Sequence, residues 1–257
     1  MHKEQRGGLT FDPSNHLNTL KKMETMQPVY TAPTLGNSFS NGWEVMKKHF
    51  LTLFLVVIVV GIVMGPTQAF RYNVNASDHW NWNWHPDFGL LAFGIMAGIA
   101  GLFALAYAFL IVPVFKFGGQ MMFLQAVRDI RPDFNKLVSG FRENYLGIVL
   151  AYLLVIALVM LGFILLVIPG IIVGCRLAFV GYLVMDKKLD PIQAVEESWR
   201  MTKGHGWTIF FMAFLSIFIF IGGLCVLFVG VFPALIWISA SFASLYESVL
   251  GSKIPAM

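Results

Sequence analysis

The sequence predicts an all-α fold: a polytopic membrane helical bundle of six transmembrane helices, arranged as three hairpins, each preceded by an interfacial amphipathic helix. Three observations predict it. Of the 257 residues, 57% are hydrophobic and only 12% charged, which is outside the range of soluble domains. The apolar residues fall in blocks long enough to cross about 30 Å of hydrocarbon as helices, without barrel-type alternation. A short polar segment with a bulky aromatic followed at once by a charged residue occurs three times, each time ahead of a pair of blocks.

The blocks are residues 50-70, 88-115, 146-169, 170-185, 207-229 and 230-250. The stretches 146-185 and 207-250 are each too long for one helix and suit two. The fourth block is short and carries Arg176, so its bounds are the least defined. A polar leader, 1-35, contains no apolar core of a secretory signal. It reads as a flexible cytoplasmic segment, either a solvated tail or a place to recruit an unknown protein partner. Residues 36-251 form the membrane domain and 252-257 a short cytoplasmic tail. Cys175 and Cys225 both fall inside predicted spans and read as small buried side chains.

Lysine and arginine near span ends stay cytoplasmic. Of the eighteen, sixteen lie in residues 1-49, in the loops 116-145 and 186-206, and in the tail. Arg71 alone lies on the opposite side, and Arg176 lies within a span. Both termini are therefore expected in the cytoplasm. The net charge of +4 would suggest nucleic acid for a soluble chain, but the inside bias accounts for it, so no nucleic-acid partner is expected. Membrane phospholipids are the expected partner, because juxtamembrane cations attract anionic headgroups.

The repeated segments are "SFSNGWEVMKKHFLTLF", "FNKLVSGFRENYLGIVL" and "QAVEESWRMTKGHGWTIFF". Trp43, Phe141 and Trp199 are their aromatics. In the third, Ile192, Val195, Trp199 and Thr202 recur at helical spacing, which predicts an apolar stripe at the acyl boundary with Glu196, Glu197, Arg200 and Lys203 in water. Asp190 is a possible N-cap ahead of Pro191, and Gly204 with Gly206 would end the helix. A proline follows near each outer turn, Pro66, Pro169 and Pro233. Glycines four apart (Gly61 and Gly65, Gly94 and Gly98, Gly170 and Gly174) suggest close helix packing, or a substrate path.

Four groups carry the functional expectations. Arg176, about seven residues into the fourth span and roughly 10 Å from its outer end, must snorkel, line a wet cavity or pair, with an outer-leaflet lipid phosphate or helix-end carbonyls as candidate partners. Tyr246 and Glu247 are expected to cluster with Lys203 and His205 at the cytoplasmic interface. Trp80, Trp82 and Trp84 alternate in the outer loop and read as an interfacial belt, a ligand platform, or neighbours of a metal site built from Asp78, His79, His85 and Asp87 that lacks standard ligand spacing. No nucleophile with its base and no phosphate-cradling glycine loop is evident, so no enzyme, metal or cofactor is expected.

"DPIQAVEESWRMTKGHGWTIF", "ASLYESVLG", "PDFNKLVSGFRENY" and "IPGIIVGCRLAFVGYLVMDKKLD" together resemble a superfamily of six-span bacterial membrane proteins that includes the membrane domain of glycerophosphoryl diester phosphodiesterases. The similarity covers roughly residues 36-250. It implies an inner-membrane location. It does not imply phosphodiesterase activity, because the soluble catalytic domain of those enzymes has no counterpart here. The leading expectation is a non-enzymatic module that binds or organises phospholipid or supports a membrane assembly. The alternatives are a small transporter or lipid-translocating protein and, behind it, an intramembrane enzyme.

Overall fold

The computed structural model describes residues 32-76, 88-226 and 230-252. They form ten helices: α1 (Leu35–Ala76), α2 (Phe88–Leu110), α3 (Val112–Val127), α4 (Asn135–Glu143), α5 (Tyr145–Leu165), α6 (Val167–Arg176), α7 (Val180–Asp186), α8 (Pro191–Met201), α9 (Gly206–Cys225) and α10 (Val231–Gly251). Six candidate spans are long and apolar enough to cross a membrane, which makes this a multi-pass membrane protein: Leu35–Gly65, Gly98–Val127, Tyr145–Leu165, Val167–Asp186, Gly206–Cys225 and Val231–Gly251.

The spans pair as three hairpins: α1 with α2 and α3, α5 with α6, and α9 with α10. The short amphipathic segment expected before each hairpin is present as the start of α1, as α4 and as α8. In α1 it is joined directly to the span across a kink at His49, whose backbone (φ −118°, ψ 24°) leaves the helical region. All three pack on a helix of another hairpin. Each runs antiparallel along the end of the second helix of another hairpin. Gly42 meets Ser241 and Phe54 meets Phe232, so the start of α1 follows α10. Gly118 meets Leu137 and Phe115 meets Phe141, so α4 follows α3. Ser198 bonds to Phe179, and Thr202 to Arg176, so α8 follows α6 and α7.

Lipid gives no hydrophobic reward for bringing two apolar helices together, so close backbone approach and polar contacts must hold them. The residue before each repeated aromatic provides that approach. A Cβ on Gly42 would strike Ser241, and one on Gly140 would come within 2.9 Å of Val114. The third position is Ser198, whose hydroxyl donates to the Arg176 carbonyl at 2.8 Å. Of the glycines spaced by four, only Gly170 is in close contact, with Gly162 and Phe163, while Gly61, Gly65, Gly98 and Gly174 face open space. Spacing marks a face but not whether another helix covers it.

Several boundaries differ from expectation. The segment expected as a loop from 116 begins as helix, since "KFGGQMMFLQAV" has no proline and buries Phe117, Met122, Phe123 and Leu124. Lys116 consequently lies within a candidate span, its ammonium 5.4 Å from the Tyr152 ring. Pro169 and Pro233 occupy first helical turns as expected, whereas Pro66 falls inside α1. The fourth span is broken at 177-179 into α6 and α7. α5 and α6 meet at a single extended residue, Leu166 (φ −173°, ψ 158°). Its N–H donates to Gly162 at 3.1 Å and its carbonyl accepts from Gly170 at 3.2 Å.

Candidate functional site

The second helices of the three hairpins converge on one ion cluster. α3 ends at Val127 and presents Arg128 as its C-cap, α7 ends on Asp186, and α10 carries Glu247 in its last turns. The Arg128 guanidinium donates Nη1 to Asp186 Oδ1 at 2.6 Å and Nη2 to Asp186 Oδ2 at 2.9 Å. Its Nε donates to Glu247 Oε2, also at 2.9 Å. The planar fork of arginine fits this arrangement as no lysine could. Tyr246 is fully buried, stacked on Tyr182 with ring centres 5.0 Å apart, and donates its hydroxyl to Asp186 at 3.1 Å. Burial works against the Arg128 charge, but Asp186 and Glu247 outweigh it and push its pKa well above the ordinary value. The cation is therefore permanent.

A second arrangement lies where α6, α8 and α9 meet. Arg176 ends α6, and the chain then breaks, which frees its carbonyl to accept from Ser198 and, at 3.4 Å, from Thr202. The guanidinium lies over the Trp199 ring, 5.7 Å from its centre. Its Nη1 is buried and has no hydrogen-bond partner. Beside it opens an apolar groove of about 590 Å³, lined by Ile168, Ile171, Ile172, Trp207 and Phe210 and closed at the polar end by Arg176, Gly204 and Gly206. Ile168 and Trp207 are 71% and 75% exposed, so the groove faces whatever surrounds the bundle.

The expected residues thus separate into two places. Tyr246 and Glu247 bond to Asp186 and Arg128 and not to Lys203 or His205, which belong to the Arg176 end, where Lys203 is exposed and His205 precedes α9. Arg176 lies beside α8 and is the tenth of the twenty residues of the Val167–Asp186 span. Trp43, Phe141 and Trp199 each rest one face on a neighbouring helix, against Trp237 (5.0 Å), Phe115 (5.7 Å) and Arg176, and remain 40-43% exposed. Of the stripe expected in α8, Ile192 and Trp199 are exposed, Val195 is half-buried against the core and Thr202 is fully buried. The packed face is Ala194, Ser198, Met201 and Thr202, and the small Ala194 and Ser198 let α8 approach α7 closely. Asp190 occupies the N-cap position with no side-chain bond to the helix. Glu197 pairs with Arg200 at 2.6 Å. Trp80, Trp82 and Trp84, the adjoining Asp78, His79, His85 and Asp87, and the leader through residue 31 lie outside the described residues.

Sequence reasoning missed Arg128 and Asp186, which lie 58 positions apart and look like ordinary loop charges. It also missed the small residue before each aromatic, which was visible in all three segments. Among the described residues, no group of three or more His, Cys, Asp or Glu could hold a metal ion. Cys175 and Cys225 are free thiols.

The chain matches no family model, no curated protein and no solved structure.

Proposed function

We propose that this chain is a multi-pass module of a bacterial inner membrane that binds and organises phospholipid, with both termini cytoplasmic. The observation that carries this reading is the apolar groove that ends on Arg176, a cation with a buried and unpartnered N–H, open on its long side to the surroundings of the bundle. A guanidinium in such a place is costly unless an anion meets it, and a phosphodiester headgroup is the anion at hand in a membrane. Arg128 is already engaged by two carboxylates, so it adds rigidity and offers nothing to a ligand. The sidedness rests on the distribution of lysine and arginine. The likeness of the three segments, each packing on another hairpin's second helix, supports an internal repeat. The leader remains a candidate for recruiting a protein partner.

The test is retention. Purified in mild detergent, the chain should keep phospholipid through gel filtration, and adding an anionic phospholipid should raise its thermal midpoint more than a zwitterionic one does. A chain that retains no phospholipid and is stabilised equally by both would overturn the reading. Lipid or solute flux in proteoliposomes would favour the transporter reading instead.

A further inference from the structure

We infer that the groove holds one phospholipid, its phosphate on the Arg176 guanidinium and one acyl chain along Ile172 and Ile168. This rests on the phospholipid reading and specifies its site and headgroup. Residues 168, 172 and 176 recur at four-residue spacing and share one face of α6. From Arg176 to Ile168 is eight residues, about 12 Å of helix. An acyl chain that starts at Arg176 is covered along this wall for that length. The opposite wall, Trp207 and Phe210, belongs to the first turns of α9, so both walls start at the same polar level.

That level is built for an anion. Arg176 lines the groove and brings its charge to it. The guanidinium is positioned from behind by the Trp199 ring, and its backbone is anchored by Ser198 and Thr202. α9 begins at Gly206, and the first N–H groups of a helix have no partner within it. Gly204 (φ +89°) and Gly206 bring no side chain across that opening, and a Cβ on either would meet nothing within 4 Å. Charge and shape together select a monoanionic diester with a hydrocarbon tail. Free phosphate would satisfy the arginine but leave the apolar walls uncovered.

The experiment is native mass spectrometry of the full chain from detergent, with added dipalmitoyl phosphatidylglycerol as the probe. Wild type should retain one lipid per chain. Arg176→Gln should lower that occupancy about tenfold, as expected for one charge-assisted bond. Arg176→Lys should fall between the two. Ile172→Trp, at an exposed position, should fill the groove and lower occupancy with the arginine intact. Inorganic phosphate at equal concentration should not compete; competition would assign the site to the free anion. Phospholipid retained equally by wild type, Arg176→Gln and Ile172→Trp would overturn this site and leave the general reading standing. Wild type that retains none would overturn both. Should Arg176→Gln fail to fold, a photoactivatable phosphatidylglycerol on wild type decides: crosslinks at 168-176 and 207-210 are expected, and crosslinks confined elsewhere would overturn the assignment.

Discussion

Replacing Arg128 with glutamine would leave Asp186 and Glu247 facing the same spot without a cation, where their side chains are only 11% and 14% exposed. Removing one partner from a buried ionic group is strongly destabilising, so Arg128→Gln should cost on the order of 3 kcal/mol, read as a fall in the midpoint of helix loss in detergent. Arg128→Lys keeps the charge but cannot direct three N–H groups at three oxygens, and should recover only part of that loss. The small residues ahead of the aromatics give a second prediction. Gly42→Leu and Gly140→Leu should each destabilise by about 1–3 kcal/mol through overpacking, whereas Gly98→Leu, with open space around it, should not. At this scale the sequence was legible where a pattern was local. Trp43, Phe141 and Trp199 announce themselves by their charged neighbour. The partners of Arg128 and Arg176 do not, because only the fold brings residues 128, 186 and 247 within bonding distance.

The short amphipathic helices owe their order to the turns that lead into them. Asp129 leaves α3 with a left-handed backbone (φ 59°), and its carboxylate meets Lys48 of α1. Asp133 Oδ1 then accepts from the Asn135 N–H at 2.9 Å, which opens α4, and Glu143 at the other end of α4 pairs with Lys188 at 2.9 Å. The hydrogen bond from Lys48 holds the Asp129 carboxyl below the usual range, and the one from Lys188, aided by Lys136, does the same for Glu143. A depressed carboxyl contributes stability above its unfolded value, near pH 4, and that contribution is lost as the pH falls through its folded value. Amide-exchange protection across 128-143 should therefore drop on acidification below about pH 4, while neutral and mildly alkaline conditions leave it unchanged. Protection that does not respond to acid would show that packing alone holds α4. The existence of these helices was legible from aromatic spacing. Their direction was not: an apolar stripe shows that a helix has a covered side without saying whether lipid or protein covers it, and in α8 Ala194, Ser198, Met201 and Thr202, not Ile192 and Trp199, face the protein.

For the whole molecule, the six spans were legible because twenty apolar residues in a row have few other uses, and the breaks within them were not. The division of the fourth span at 177-179 depends on Ser198 and Thr202 capturing the freed carbonyl of Arg176, a contact between distant residues. The hairpin pairing makes a prediction about sidedness. In a background without native thiols, cysteines introduced at Thr34, Ile130, Lys188 and Ser252 should all react with an impermeant maleimide from the same face of sealed vesicles. Labelling of 130 and 188 from opposite faces would break the pairing of α5 with α6. The bend at Leu166 bears on how far that hairpin must reach. Both its peptide groups are already bonded to glycines, and the side chains around it, from Ile164 to Ile168, are all apolar and exposed. Such a tip has no demand for water and can stop anywhere in the oil, midway or at the far surface. The hairpin would hand the chain back to its starting face either way, so the tip's depth could vary with bilayer thickness without exchanging the protein's inside for its outside.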